Sequence, residues 1–390
     1  EVVDGSVFVL KNENTLGNNC MASVTCSDFY LRVKQGDMLL FCDGLVKMVV
    51  ENIENKDIIC RVVVGGLLSS SKSLNVPNVH LNLPYMSEKD KEDVLFAIEN
   101  DVDYIAASFV SCKEDVIILQ KFLNVNKANN IKIIAKIENS MGIANVDEIL
   151  DCVDGVMVAR GDLGVEIPYE NLPQIQKEII KKSVSRGKRV ITATEMLESM
   201  ITNPRPTRAE TSDVANAVYD GTTAIMLSGE TAVGKYPVLA ISNMSRIAEC
   251  TEASIHYKKR FLMQDFEILD IADSIPNTAV KASLDLNCSA IFVVTDSGAS
   301  AKMISRFKPI CPVIAVTTNI KTYYHLSLGW GIIPYFVAEQ VSVDELFNGS
   351  VKINNKYFDF IKSGDSVVYV ASTFVGKTGH TNLLKIEEVK

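Results

Sequence analysis

The sequence predicts an α/β chain built around a run of β/α repeats, with an all-β module in front and a second α/β unit behind. Three observations carry that expectation. Between residues 86 and 255, apolar runs of strand length alternate with segments of helical period. Ahead of them, short β-rich runs are separated by turn signals, with no helical period of useful length. Behind them the pattern loosens before strands and helices resume. At 390 residues there is room for two or three domains, each with a full core. The expected units are residues 1–76, 77–255 and 256–390.

In the first unit, Val7–Leu10, Met38–Phe41, Lys47–Val50 and Asp57–Val64 read as strands. Turn signals at Leu16-Gly-Asn-Asn, Gln35-Gly-Asp, Asp43-Gly and Glu54-Asn-Lys separate them. The second unit opens on a helix: Ser87 as cap, acids in the first turn, then Val94, Leu95 and Ile98 on one face. Strands are then predicted at Tyr104–Phe109, Ile131–Ile137, Gly155–Ala159, Arg189–Thr194 and Ala224–Leu227. Helices are predicted near Lys113–Leu123, Ala144–Leu150, Leu172–Arg186, Thr211–Val218 and Tyr236–Ala253. Such repeats imply a parallel sheet or a barrel. In the third unit the stretch Arg260–Ile275 is acidic and loosely patterned. Strands follow at Ala290–Thr295, Pro312–Thr317, Ile332–Phe336 and Ser366–Val370, with helix at Ala299–Phe307 and within Val343–Ile361.

Bulk properties exclude several classes. A net charge of −9 argues against nucleic acid as the main partner, because phosphate backbones need a basic surface. No apolar run reaches the roughly 18 residues of a membrane span, and the first residues show no signal-peptide pattern. The nine cysteines are scattered, without a C-x-x-C pair or zinc-ligand spacing, which points to a reducing, cytosolic compartment. His80, His256, His325 and His380 are isolated and read as surface or packing residues.

The chemistry sits at strand ends. Each predicted strand of the second unit runs into polar or Gly-rich residues: Ser108, Lys136-x-Glu138, Arg160-Gly-Asp162, Thr194-Glu195 and Ser228-Gly-Glu230. Enzymes built on β/α repeats carry catalysis at that end. Residues i and i+2 of a strand face the same way, so Lys136 and Glu138 project together, with Asp162 at the next strand end. Two carboxylates and water suit a hard divalent cation, and the lysine suits an anionic, phosphorylated substrate. Lys-x-Glu or Arg-Gly-Asp alone would more often be a surface ion pair. At consecutive strand ends they favour a site.

From IIAKIEN (Ile133–Asn139) through DGVMVARGDLGVEIP (Asp154–Pro168), the sequence resembles the pyruvate kinase family. VITATEMLESMITNPRPTRAETSDVANAVYDGTTAIMLSGETA (Val190–Ala232) is similar to the long signature of that family. Asn75–Asp90 and Cys42–Val46 resemble its inserted β domain and the return to the barrel; Val294–Pro309 and Ser363–Asn382 resemble its carboxyl-terminal domain. The resemblance implies a (β/α)8 TIM barrel with an inserted β-barrel lid domain and a C-terminal α/β regulatory domain. It implies phosphoryl transfer from phosphoenolpyruvate to ADP, with Mg2+ or Mn2+, in a homotetramer. It also implies a preceding segment carrying about three barrel strands, a substrate-phosphate arginine and the K+ ligands, so the chain is expected to be amino-terminally truncated.

Residue by residue, the resemblance implies Glu138 and Asp162 as metal ligands and Lys136 as the group that stabilises the transferred charge. Backbone N–H groups of Arg160, Gly161 and Asp162 would hold the substrate carboxylate. Thr194, with Ser228 and water, would carry the proton to carbon. Lys89 matches a lysine that reaches the nucleotide phosphates. The loop Thr295, Ser297, Gly298 and Ser300 resembles an effector-phosphate loop, although Asp296 within it repels an anion. Three positions depart from the pattern: Glu195 after Thr194, Cys42-Asp43 before Gly44, and Val233 where some members place a nucleotide-contacting lysine. Two other readings share these parts: a metal-dependent phosphoenolpyruvate-type lyase, and an inactive or regulatory homologue.

Overall fold

In the computed structural model, residues 1–42, 44–77, 79, 84–264, 266–337, 358–372 and 381–389 are described. The first unit contains β1 (Val7–Lys11), β2 (Met21–Ser23), β3 (Met38–Phe41), β4 (Val46–Glu54), β5 (Asp57–Val64) and β6 (Leu74–Asn75). They form one sheet in the order β2-β1-β5-β4-β3-β6. Alternation along β4 sends Val46, Met48 and Val50 inward onto Phe8, Leu10, Leu39 and Ile58. The short β2 and β6 escape sequence reading because neither is long enough to show a period.

The second unit runs α1 (Glu88–Glu99), β7 (Tyr104–Ala107), α2 (Lys113–Val125), β8 (Lys132–Ile137), α3 (Ser140–Ala144), α4 (Val146–Cys152) and β9 (Gly155–Ala159). It continues through α5 (Arg160–Glu166), α6 (Leu172–Ser185), β10 (Arg189–Ala193), α7 (Arg208–Asp220), β11 (Ala224–Ile225), α8 (Gly229–Ala232) and α9 (Pro237–Ala253). The strands are parallel, in the order β11-β10-β9-β8-β7. Both faces are buried. Ile133, Ala135 and Ile137 of β8 meet the helices through Leu119, Ile149 and Ile180, while Ile134 turns the other way to Met157 and Ile191. Each fully buried isoleucine or leucine contributes about 1.5–3 kcal/mol, so helix and strand hold each other in register. Because Ile134 faces the inner side, so does Lys136.

Three expectations here need correcting. Leu95 is 40% exposed, whereas Val94 is buried and Ile98 packs on the core; one residue on from Val94, it has turned about 100° away from the core. The helix expected at Ala144–Leu150 is two helices, broken at Asn145, whose side-chain amide donates to the Ser111 carbonyl at 2.9 Å. Thr194 is not the end of its strand: β10 stops at Ala193, and Thr194 and Glu195 both take left-handed backbone, with φ of 71° and 53°.

The third unit contains α10 (Tyr257–Met263), α11 (Ile271–Leu286), β12 (Ala290–Val294), α12 (Ala299–Arg306), β13 (Val313–Thr317), α13 (Ile320–Leu326), β14 (Ile332–Phe336), β15 (Ser366–Ala371) and β16 (Leu383–Glu388). Its sheet order is β14-β13-β12-β15-β16, parallel except for β16. The loosely patterned stretch hides α10 and the start of α11. Pro276 inside α11 and the acids Asp270 and Asp273 mask its period, yet Asp270 caps it by accepting from the Asp273 N–H at 2.9 Å. Of the helix expected within Val343–Ile361, residues 343–357 lie outside the described ones. Phe358–Ile361 form a turn, closed from Ile361 N–H to the Phe358 carbonyl at 3.1 Å.

Candidate active site

At the carboxyl end of β8, Lys136 Nζ lies 2.6 Å from Glu138 Oε1 and donates to Ser108 Oγ at 3.1 Å. Glu138 is fully buried, and its Oε2 accepts from the Phe109 N–H at 2.6 Å. The lysine contact is an ion pair, and among the described residues Oε1 has no hydrogen-bond partner. Burial pushes the Glu138 carboxyl above its ordinary range; Lys136 and the Phe109 N–H pull against that, and the charge of Asp162 adds to it. Asp162, half-buried in the first turn of α5, therefore lies within electrostatic reach of Glu138.

Among the described residues no group of three or more His, Cys, Asp or Glu side chains is arranged to hold a metal. What exists is a pair. Glu138 offers a buried acceptor with no hydrogen bond and Asp162 a partly exposed carboxylate, a donor set that fits a hard cation completing its shell with substrate and water.

Arg160 opens α5 but turns its side chain away from this pair. Its guanidinium is buried, paired with Asp213 at 2.7 Å, and donates to the Thr194 carbonyl from Nε at 3.1 Å and Nη2 at 2.6 Å. A threonine in left-handed backbone is strained, because its branched Cβ crowds the carbonyl. The arginine holds that turn in place. Gly161 is required by the same turn, since a Cβ there would lie 2.9 Å from Thr194 Cγ2. With the Arg160 side chain engaged and no side chain at Gly161, what this segment turns to a ligand is its backbone and the Asp162 carboxylate.

Ser228 caps α8, and its N–H donates to Glu230 Oε2 at 2.8 Å; the other oxygen of this fully buried acid accepts from the Leu197 N–H at 2.9 Å. Glu230 thus ties the β11 end to the loop after Thr194. Sequence reading noted it only as a strand-end acid, and Asp213, inside a helix, gave no signal at all. Among the described residues, neither the Thr194 nor the Ser228 hydroxyl has a hydrogen-bond partner.

Other expected residues lie elsewhere. Lys89 is exposed on α1 and paired with Asp93 at 2.6 Å. Val233 is 79% exposed. In the loop before α12, Thr295 Oγ1 accepts from the Gly298 N–H at 2.9 Å, and Ser300 Oγ lies 2.5 Å from Thr381 Oγ1. Those hydroxyls already have partners. His325 packs edge-on against Tyr104, as a packing residue would; His80 and His380 lie outside the described residues.

A parallel sheet with polar residues gathered at the carboxyl ends of its strands defines an enzyme of the α/β class. A family model described as pyruvate kinase, barrel domain, matches residues 1–241, and one described as pyruvate kinase, alpha/beta domain, matches residues 273–387. The chain is 45% identical to the pyruvate kinase of Clostridium acetobutylicum over 395 residues, covering 100% of this chain and 83% of that protein. It is 44% identical to the pyruvate kinase of Clostridium perfringens with the same coverage, and 43% identical to that of Geobacillus stearothermophilus, of which it covers 67%. The chain belongs to the pyruvate kinase family and is a phosphotransferase of glycolysis. Enzymes of this family use phosphoenolpyruvate and ADP and generally need Mg2+ and K+. No helix among the described residues is long and apolar enough to cross a membrane.

Proposed function

We propose that the strand-end centre of this chain transfers the phosphoryl group of phosphoenolpyruvate to ADP, with Glu138 and Asp162 holding the divalent cation. The observation that carries the reading is the Lys136–Glu138 pair, 2.6 Å apart beside Asp162, in which Glu138 Oε1 is buried without a hydrogen bond. When bound, a divalent cation supplies Lewis-acid neutralisation of phosphoryl and carboxylate oxygens. Lys136 adds a fixed positive charge on the inner side of β8. In the transfer, the phosphorus–oxygen bond to the enol oxygen breaks and one to the terminal ADP oxygen forms, and Lys136 stabilises charge passing to the enolate. The enolate then takes a proton at carbon. Threonine is a weak acid, so Thr194 and Ser228, whose hydroxyls are unengaged, relay that proton with water. The backbone of Arg160, Gly161 and Asp162 receives the substrate carboxylate.

Residues 1–76 act as a lid over the nucleotide, ahead of a barrel unit at 77–255 and an α/β unit at 256–390. Two proximities support the lid's position. A Cβ at Gly44 would lie 3.8 Å from Val165 of α5, and Asn75 lines the same cleft as Glu166 of α5. Lys89 as a nucleotide contact, the loop Thr295, Ser297, Gly298 and Ser300 as an effector site, a K+ requirement, homotetrameric assembly and a cytoplasmic location rest on family resemblance.

Mn2+ titration followed by electron paramagnetic resonance tests the centre. Glu138→Gln and Asp162→Asn should each weaken Mn2+ binding at least tenfold and lower the transfer rate about 10²-fold or more. Unchanged Mn2+ affinity in both variants removes them from the metal site.

A further inference from the structure

At the opposite, amino-terminal end of β10 lies a second concentration of charge. A small cleft between this strand end and the third unit is lined by Lys188 and Arg189 on one wall and by Lys302, Arg306 and Lys308 on the other. No carboxylate is among its described lining residues. Lys302 and Arg306 are four residues apart on α12, so they share one helix face. The enclosed space is about 20 Å³, room for one water-sized oxygen, and the rest opens to solvent.

The cations are poorly compensated. Arg189 is buried; Nη2 donates to the His325 carbonyl at 2.7 Å, but Nε has no hydrogen-bond partner among the described residues. Arg306 is also buried; Nη1 donates to the Ser185 carbonyl at 3.3 Å and Nη2 forms an ion pair with Asp273 at 3.2 Å, but among the described residues neither Nε nor Nη2 makes a hydrogen bond. Among the described residues Lys188 donates only to the Val153 carbonyl, at 2.7 Å. Lys308 lies 4.3 Å from the centre of the Trp330 ring. The Lys302 ammonium has neither an ion pair nor a hydrogen bond among the described residues. Acids act from outside the lining: Asp273 and Asp270 on Arg306, Asp154, 3.6 Å from Lys132, and Glu252.

A bland account would let the lysines lose their protons. Burial and neighbouring cations do push Lys302 and Lys308 downward. That account fails for the arginines, which stay charged at any physiological pH. Buried guanidinium N–H groups without acceptors are costly, because they have given up water for nothing. An oxyanion supplies both the missing acceptors and the missing charge, and Arg is suited to it geometrically.

We propose that this cleft is a binding site for a small oxyanion, free phosphate or the phosphate group of a metabolite, held by Arg189, Lys302 and Arg306 between the barrel and the third unit. One oxygen enters the enclosed space while the remainder stays at the mouth, which leaves room for an ester substituent in solvent. The site is separate from the loop before α12, whose hydroxyls are bonded within the third unit.

Thermal denaturation and calorimetric titration of the full chain test the assignment at constant ionic strength. The probes are inorganic phosphate and glycerol phosphate, with chloride as the control. Wild type should gain melting temperature with at least one probe. Lys302→Met and Lys188→Met, one on each wall, should each weaken that binding at least tenfold, and Lys302→Arg should retain it. Without anion, Lys302→Met should melt above wild type, because it relieves crowding of like charge. Binding of inorganic phosphate alone identifies a free-anion site; preference for the ester identifies a metabolite. Phosphate bound at the catalytic centre is common to all forms, so only the difference between variants counts. Equal affinity in wild type and both methionine variants, or no binding by wild type beyond chloride, overturns the proposal.

Discussion

The two ends of the barrel strands handle buried cations in opposite ways. At the carboxyl end, Lys136 meets Glu138 at 2.6 Å and Arg160 meets Asp213 at 2.7 Å, so each cation has its carboxylate. At the amino end only Arg306 among the cleft's cations meets a carboxylate, Asp273 at 3.2 Å; Arg189 has a carbonyl and a ring, and Lys302 has neither acid nor acceptor among the described residues. The lesson is that charge balance separates two designs. Where charges are paired within the chain, the pairs position backbone and side chains for chemistry. Where they are unpaired, the fold carries a cost that a ligand can relieve.

The comparison breaks most visibly at Arg160. Arg160→Met leaves Asp213 unpaired and frees the strained turn at Thr194 and Glu195. Arg160 is buried but Asp213 is a third exposed, so what is lost is charge-assisted hydrogen bonding of about 1.5–3 kcal/mol; denaturant unfolding should show a loss of that order, with a fall in kcat of about 10²-fold or more. A double-mutant cycle with Asp213→Asn should show strong coupling. Additive losses would mean that the pair does not hold the turn.

Gly161→Ala sharpens the same point at smaller cost. Its Cβ would meet Thr194 Cγ2 at 2.9 Å, so overpacking of about 1–3 kcal/mol is expected, with a fall in kcat. Thr194→Ser removes that methyl and keeps the hydroxyl. The double variant should recover stability and part of the activity lost by Gly161→Ala; no recovery would place the clash elsewhere.

The unpaired end should show itself in pH dependence. Burial, with help from Arg189, Lys132 and Lys188 and against Asp154, takes Lys302 from the ordinary lysine value of 10.5 to about 8. Between those values the unfolded chain binds more protons than the folded one, so stability rises with pH across the window. Below about 8 both states are protonated and this contribution is flat. Chemical unfolding from pH 7.5 to 10 should show the rise in wild type and a smaller one in Lys302→Met. Identical slopes would mean that Lys302 is as well solvated as a surface lysine.

The smallest effect is expected at Lys89. Its pairs with Asp93 and Glu92 are exposed and screened by solvent, so they contribute little to stability. Lys89→Met should therefore leave the melting temperature within a degree or two while raising KM for ADP. An unchanged KM would restrict Lys89 to the helix surface.

Much of this was legible in the sequence where period and spacing act locally. The strands Gly155–Ala159 and Ile332–Phe336 carry continuous apolar runs, and Lys136 with Glu138 shows the two-residue spacing that brings them together. The capping box at Ser87 and Asp90 is likewise a local signal. What escaped depends on partners distant in sequence. Asp213 meets Arg160 from 53 residues away, and Lys302 faces Arg189 only because α12 packs under the barrel strand. Left-handed backbone at Thr194 could not be read from a residue type that normally avoids it. Nor could α11, whose Pro276 reads as a break although the helix continues through it.

The central claim is that Lys136 serves the transfer of charge rather than the integrity of the strand end. Lys136→Met separates the two, with phosphorylation of ADP and exchange of the pyruvate methyl protons measured on the same preparation. Enolisation moves no phosphoryl group, so the account predicts that transfer falls at least 10²-fold more than exchange, while Mn2+ still binds. Equal loss of both reactions would contradict it and leave Lys136 with a structural role.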